Sequence, residues 1–213
     1  MSRGGEEQEE KMKKTLTIIF SCFTLLMLSS VAFAVAPAPG AYVSGNLGVS
    51  FLEDSDLSAS GMSAELEFDA GAALGLAAGY NLGAFRVEGE LGYAKNDIDK
   101  ATITGLGSGR VSGDVTSLSF LVNGYYDFVN SSPFTPYVSA GIGFARLDAS
   151  LEGGDDDDDV LAYQVGVGVG YAVNEKVTID LKYRYFATDD PKFDGIDAEY
   201  ASHNIFLGIR YNF

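Results

Sequence analysis

Eight stretches of this chain place apolar residues at every second position, and a period of two is the signature of strands with one apolar face. From Ala41 onward no helical spacing competes with it. The first stretch sets Val43, Leu47, Val49 and Phe51 against Tyr42, Ser44, Asn46 and Ser50; the second sets Ala72, Leu74, Leu76, Ala78 and Tyr80 against Gly71, Ala73, Gly75, Ala77 and Gly79. In the third, Phe85, Val87, Leu91 and Tyr93 alternate with Arg86, Glu88 and Glu90; in the fourth, Leu118, Phe120, Val122, Tyr126 and Phe128 alternate with Ser117, Ser119, Asn123, Tyr125 and Asp127. The fifth pairs Val138, Ala140, Ile142 and Phe144 with Ser139, Gly141 and Gly143. The sixth pairs Tyr163, Val165, Val167, Val169 and Tyr171 with Gln164, Gly166, Gly168 and Gly170. In the seventh, Val177, Ile179, Leu181, Tyr183 and Tyr185 oppose Thr178, Asp180, Lys182 and Arg184. In the eighth, Ile205, Leu207, Ile209, Tyr211 and Phe213 oppose Asn204, Gly208, Arg210 and Asn212.

An even number of strands, each near the roughly 9 to 11 residues that a tilted strand needs to cross a bilayer, suits a closed membrane barrel. The connections alternate as well. Residues 81–84, 129–136 and 172–176 are short turns, whereas the other four connections are long and rich in Gly, Ser and Asp. Short periplasmic turns with long external loops are the outer-membrane pattern, and both termini then lie on the short-turn side. Alternation alone also admits a lipocalin-like barrel with the apolar rows turned inward. Three features favour the membrane: glycines crowd the polar face, where an eight-strand barrel has a cramped interior; Tyr and Phe sit near the ends of the apolar rows, as interfacial girdles do; and the alternation runs to Phe213. The fold expected is all-β, an eight-stranded antiparallel up-and-down transmembrane barrel.

The first residues read as a targeting sequence. Lys11, Lys13 and Lys14 precede an apolar run from Leu16 to Leu28 that ends in Ala32-Phe33-Ala34, a pattern that signal peptidase accepts. Residues 1–34 are therefore expected to be an upstream extension plus a cleaved signal peptide, 35–40 a short periplasmic segment and 41–213 the barrel. A membrane-anchoring helix fits less well, because the apolar core is short. A lipoprotein site at Cys22 lacks small residues before it, since Phe20 stands there.

The ending Gly208-Ile209-Arg210-Tyr211-Asn212-Phe213 resembles the C-terminal insertion signal of outer-membrane proteins, with Gly208, Tyr211 and Phe213 at the matching positions and Phe206 as a departure. The stretches Tyr42 to Ser50 and Pro136 to Ala145 are similar to the small OmpA-like and opacity-type surface barrels. That resemblance implies an outer-membrane address, contact with outer-membrane lipid and lipopolysaccharide, and delivery by the barrel-assembly machinery. It covers structural proteins and adhesins, so it fixes architecture more closely than activity. The resemblance is to the barrel part of OmpA-like proteins, so the wall anchoring that a peptidoglycan-binding domain gives the full-length members is not expected of this sequence.

Charge narrows the function classes. Thirty acidic residues against 14 basic ones give a formal net charge of −16, which disfavours a phosphate-tracking nucleic-acid binder. One Cys and one His exclude a Cys/His zinc site and a disulfide framework. The acid is segregated: segments 53–69, 95–114, 148–160 and 188–200 carry −6, 0, −7 and −4, and the strands are nearly neutral. On the polar faces, Arg86, Glu88, Glu90, Asp180, Lys182, Arg184 and Arg210 form a candidate lumen network, either a structural set of ion pairs or a charged constriction in a narrow pore. The run Asp155, Asp156, Asp157, Asp158 and Asp159 offers oxygen ligands for weak divalent-cation binding, but it lacks EF-hand spacing and reads first as a solvated, self-repelling loop. His203, with Ser202 and Glu199 nearby, has the residue types of a nucleophilic triad, yet adjacent strand residues point to opposite faces, so a girdle position suits His203 better. The expectation is a monomeric structural or surface-interaction protein, without catalytic residues or cofactor, whose acidic loops meet a basic or host-surface partner; a narrow pore and a lipid A-modifying enzyme are the alternatives.

Overall fold

The computed structural model describes residues 39–53, 55–59, 62–103, 107–109, 113–151, 154–189, 192–193, 196–197 and 200–213. The expected leader, Cys22, Asp54 and Glu199 lie outside the described residues. Eight strands make the barrel: β1 (Gly40–Leu52), β2 (Gly71–Asn81), β3 (Phe85–Ile103), β4 (Gly113–Asp127), β5 (Phe134–Leu151), β6 (Gly154–Ala172), β7 (Val177–Thr188) and β8 (Ala201–Asn212). Each pairs antiparallel with its sequence neighbour, and β1 pairs with β8 through Tyr42↔Asn212 to Leu52↔Ser202. The sheet thus closes and leaves no free edge across the membrane, where no water could satisfy one.

Side-chain exposure decides between a membrane barrel and a lipocalin-like one. Leu47, Leu76, Phe144 and Leu207 are each more than 60% exposed, while Arg86, Glu90 and Lys182 are at most 5% exposed. A chain dissolved in water has the opposite arrangement. Aromatic side chains ring the two ends of the outward face, with Tyr80, Phe85, Tyr126, Phe128 and Tyr171 on the side of the short turns and Phe51, Tyr93, Phe144 and Tyr163 on the other. Edge-to-face contacts knit the first set: Phe85–Tyr126 at 5.1 Å and Tyr126–Phe128 at 5.0 Å. The β2–β3 turn is tight because Gly83 takes φ 106°, a conformation that side chains disfavour, and its N–H donates to Asn81 Oδ1 at 2.8 Å.

Three of the four segments expected to be long loops, 53–69, 95–114 and 148–160, are built largely of strand among their described residues, which corrects the loop reading of the acidic run. β5 and β6 continue as a paired hairpin to Leu151↔Gly154, and Asp155 to Asp159 lie within that ladder opposite Ser150 to Arg146. From Phe144 to Leu151 the hairpin rises about 23 Å along the strand beyond the outer girdle. Segment 53–69 holds its own hairpin, Ser55–Ala59 with Met62–Phe68, and the latter strand pairs with the upper part of β3. Aspartate suits strands poorly. The hairpin nevertheless forms because the inward face turns apolar above the polar lumen: Ala145, Leu147, Val160 and Ala162 pack with Leu121, Phe186 and Tyr200 in one buried cluster.

Candidate functional site

Inside the barrel, charge is arranged in layers. Nearest the short turns, Arg86 Nε and Nη2 donate to Asp127 Oδ2 and Oδ1 at 2.7 and 2.9 Å, a two-pronged pair. Arg210 Nη2 meets Asp180 Oδ1 at 3.3 Å in the same layer. The Arg86 guanidinium also lies over the rings of Tyr125 and Tyr137, at 4.2 and 4.9 Å. Next comes Glu88, which accepts from the hydroxyls of Tyr42 and Tyr125 at 2.7 and 2.5 Å. Asn123 Nδ2 bridges upward, reaching Glu88 Oε1 at 3.3 Å and Glu90 Oε2 at 3.0 Å. Glu90 then holds two cations from the opposite wall, Arg184 Nη1 at 2.6 Å and Lys182 Nζ at 3.5 Å. The ring of Phe206 lies against both cations, 4.6 Å from the Arg184 guanidinium and 5.3 Å from Lys182 Nζ.

All seven charged residues singled out in the sequence are buried in this lumen. Sequence reasoning missed Asp127 as the partner of Arg86, although parity had placed it on the polar face, and missed the tyrosine hydroxyls that serve Glu88. Phe206, a departure from the insertion signal, is 1% exposed and fills the space beside Gly48. The glycines of the polar face make room for large side chains rather than for water. A Cβ on Gly79 would lie 2.6 Å from the Tyr42 ring, one on Gly168 would strike the Tyr137 ring, and one on Gly141 would strike Asn123. Between the described residues of the lumen remain cavities of about 20 Å³ beside Asp127 and Arg210 and about 10 Å³ beside Arg184 and Ser202, each near the size of one water. The apolar cluster around Leu147 and Phe186 roofs the second of these.

The outward face changes character just beyond the girdle. Two positions past Tyr93, Lys95 Nζ meets Asp114 Oδ2 at 3.1 Å, and that hydrogen bond holds the ammonium pKa above its ordinary value. Two positions past Phe144, Arg146 pairs across the hairpin with Asp157 and lies 3.9 Å from Asp159. His203 Nδ1 meets the Tyr183 hydroxyl at 2.6 Å, and Nε2 meets Glu53 Oε1 at 2.7 Å. Ser202 points the other way and is 2% exposed in the lumen, bonded to Asn204 Nδ2 at 3.1 Å. The structure therefore separates Ser202 from His203. Among the described residues, no group of three or more His, Cys, Asp or Glu could hold a metal ion. Because the Arg146 pair is exposed, Arg146→Ala should shift the unfolding free energy by less than about 1 kcal/mol in a urea titration of the folded barrel.

Comparison with known proteins agrees with this geometry. A family model described as outer membrane protein beta-barrel domain matches residues 20–213. The outer membrane protein PagN of Salmonella typhimurium is 34% identical over 126 residues, covering 49% of this chain and 53% of PagN. Major surface antigen 4 of Anaplasma marginale is 30% identical over 173 residues, covering 64% of this chain and 60% of the antigen. The chain thus spans little more than half the length of these curated relatives. Among solved structures, Neisserial surface protein A superposes with a TM-score of 0.55 at 24% identity, covering 82% of this chain and 97% of that one.

Proposed function

The chain belongs to the outer membrane protein β-barrel family, and from that premise we propose that it is a surface-interaction protein whose contacts are made by the acidic segments standing above the membrane. One observation carries this reading: among the described residues, Asp56, Glu65, Glu67 and the run Asp155 to Asp159 lie on paired hairpins beyond the outer girdle, while the lumen beneath holds four cationic and four anionic side chains, Arg86, Lys182, Arg184 and Arg210 with Glu88, Glu90, Asp127 and Asp180. An anionic fringe on a neutral stem favours basic partners and repels lipopolysaccharide phosphates unless divalent cations bridge them. The name of the Anaplasma relative, a surface antigen, fits exposure at the cell surface. We assign the chain no catalytic role, since Ser202 and His203 lie on opposite faces of the wall. The packed lumen favours a stem over a pore, and purified protein in planar bilayers should give no resolvable single-channel steps.

Adhesion tests the reading. Bacteria displaying the intact chain should bind more host cells, or more beads coated with a cationic protein, than bacteria displaying a version in which segments 53–69 and 146–160 are replaced by short turns. Moving those segments onto an inert barrel should move the binding with them. Equal adhesion by the intact and trimmed forms, with both present at equal level in the outer membrane, would contradict it.

A further inference from the structure

Two glycines on the outward face are not required by the barrel's own packing. A Cβ on Gly45 would meet nothing nearer than Leu76 Cδ2 at 3.7 Å, and one on Gly89 nothing nearer than the Phe120 ring at 3.9 Å, both ordinary contacts. The lumen glycines differ, because their missing Cβ atoms make room for other parts of the protein. Glycine weakens a strand, and where no neighbour demands it, it often shows where something else comes close. Here it lowers the floor of an open groove of about 700 Å³, within the size range of ligand pockets. Gly45, Ala78 and Gly89 form the floor, and Leu76, Leu91 and Phe120 stand beside it. Tyr211 lies at the end nearest the short turns.

The register gives the groove a direction. The cross-strand row Tyr211↔Val43↔Ala78↔Gly89↔Val122 runs from β8 to β4 and continues through Ile142 to Tyr163 in the outer girdle. It therefore climbs obliquely from one girdle to the other. Four strand spacings separate Tyr211 from Val122, about 19 Å. With strands tilted by about 45°, that path gains about 13 Å of depth, close to the half of the roughly 30 Å hydrocarbon core that one leaflet fills. A cation stands at the lower end, where Lys176 Nζ lies 5.8 Å from the centre of the Tyr211 ring. Lys176 is exposed, and neither its chain neighbour Glu175 nor any other described carboxylate lies within ion-pair distance of its ammonium.

An apolar slot one leaflet deep, with an unneutralised ammonium at the level of the headgroups, has the shape and charge of a lipid site. We propose that the groove holds a phospholipid of the periplasmic leaflet, with one acyl chain along the Tyr211–Val122 row and the phosphate paired with Lys176. The bilayer covers this face of the barrel, so the occupant is a lipid, and the ammonium selects one that carries phosphate. The site lies on the membrane side of the stem and is independent of the acidic hairpins.

The test strips the folded barrel of lipid in detergent and titrates it with dipalmitoyl phosphatidylglycerol, counting bound molecules by native mass spectrometry. One molecule should bind at least about tenfold more tightly than those that follow. Dipalmitoylglycerol, which has the same chains and no phosphate, should bind at least about fivefold more weakly, and Lys176→Gln should weaken phospholipid binding about fivefold, the effect of one cation near an anionic headgroup. Gly45→Val/Gly89→Val fills the floor and should abolish the tight first step. The heat-modifiable folded form should persist in both variants, since neither added Cβ strikes the protein. If the filled variant binds its first phospholipid within about twofold of the parent, the lipid does not lie in this groove and the proposal fails. It fails equally if the parent binds phospholipid in steps of equal affinity, or binds the phosphate-free lipid as tightly. A parent that runs as a lipid-free dimer, and as a monomer once the floor is filled, would give the groove to a second copy of the chain and overturn the proposal.

Discussion

Glu90→Ala should cost the barrel about 3 to 5 kcal/mol, the loss expected when one partner is removed from a buried ion pair. Glu90 is 1% exposed and is the carboxylate that holds both Lys182 and Arg184. Without it Lys182 and Arg184, each 5% exposed, lose the carboxylate that neutralises them inside the lumen. A loss of that size is a large fraction of the total stability of an ordinary domain. It should appear as a lower urea midpoint for the refolded barrel and as loss of the compact band on unheated gels. Removing the whole cluster tests the cause: in Glu90→Leu/Lys182→Met/Arg184→Met the two cations that Glu90 held leave with it, so much of the stability should return. A single variant within about 1 kcal/mol of the parent, or a triple variant worse than the single one, would show that Glu90 does not hold this cluster.

Gly143→Val should be at least as damaging, for a steric rather than an electrostatic reason. A Cβ at this position would strike the Phe120 carbonyl oxygen and lie 2.8 Å from the Leu121 Cα, and both of these are backbone atoms of the adjoining strand β4. Flexible side-chain ends can move aside; a paired strand cannot without breaking its ladder. The cost should be about 3 kcal/mol or more, or failure to assemble. Gly124 provides the control. It lies on the outward face of β4 with nothing within 4 Å of its would-be Cβ, so Gly124→Val should change stability by less than about 0.5 kcal/mol. The contrast is read by comparing the two variants for outer-membrane level and urea midpoint. Equal behaviour would mean that close approach of β4 and β5 is not what requires Gly143.

The period of two made the barrel legible because one-residue errors of register would turn every Leu and Val to the wrong side. It also placed all seven charged lumen residues on the correct face. It could not say which charges meet, because Glu90 lies 92 and 94 residues from its two cations and the contact exists only once the sheet closes. Glycine composition pointed to a cramped interior without saying what fills it: Tyr42, Tyr137 and Asn123 from other strands occupy the space beside Gly79, Gly168 and Gly141. The acidic run misled more. Five aspartates read locally as a solvated loop, but Leu147 on the paired strand and Val160 just after the run are buried, and their packing with Phe186 and Tyr200 outweighs the poor strand propensity of Asp. His203 was legible as an interfacial residue, but its partner Glu53 lies 150 residues away across the β1–β8 seam.

The orientation of the barrel underlies every functional statement made about it, and thiol labelling on intact cells tests that orientation directly. The chain's only native cysteine is Cys22, inside the expected leader. Cysteines would be placed singly at Asp157, on the β5–β6 hairpin, and at Asn174, in the exposed β6–β7 turn, and treated with a maleimide that cannot cross the outer membrane. Asp157→Cys should be labelled on intact cells and Asn174→Cys only after the outer membrane is permeabilised. Labelling of Asn174→Cys on intact cells, with Asp157→Cys protected until permeabilisation, would place the acidic hairpins in the periplasm and contradict the account.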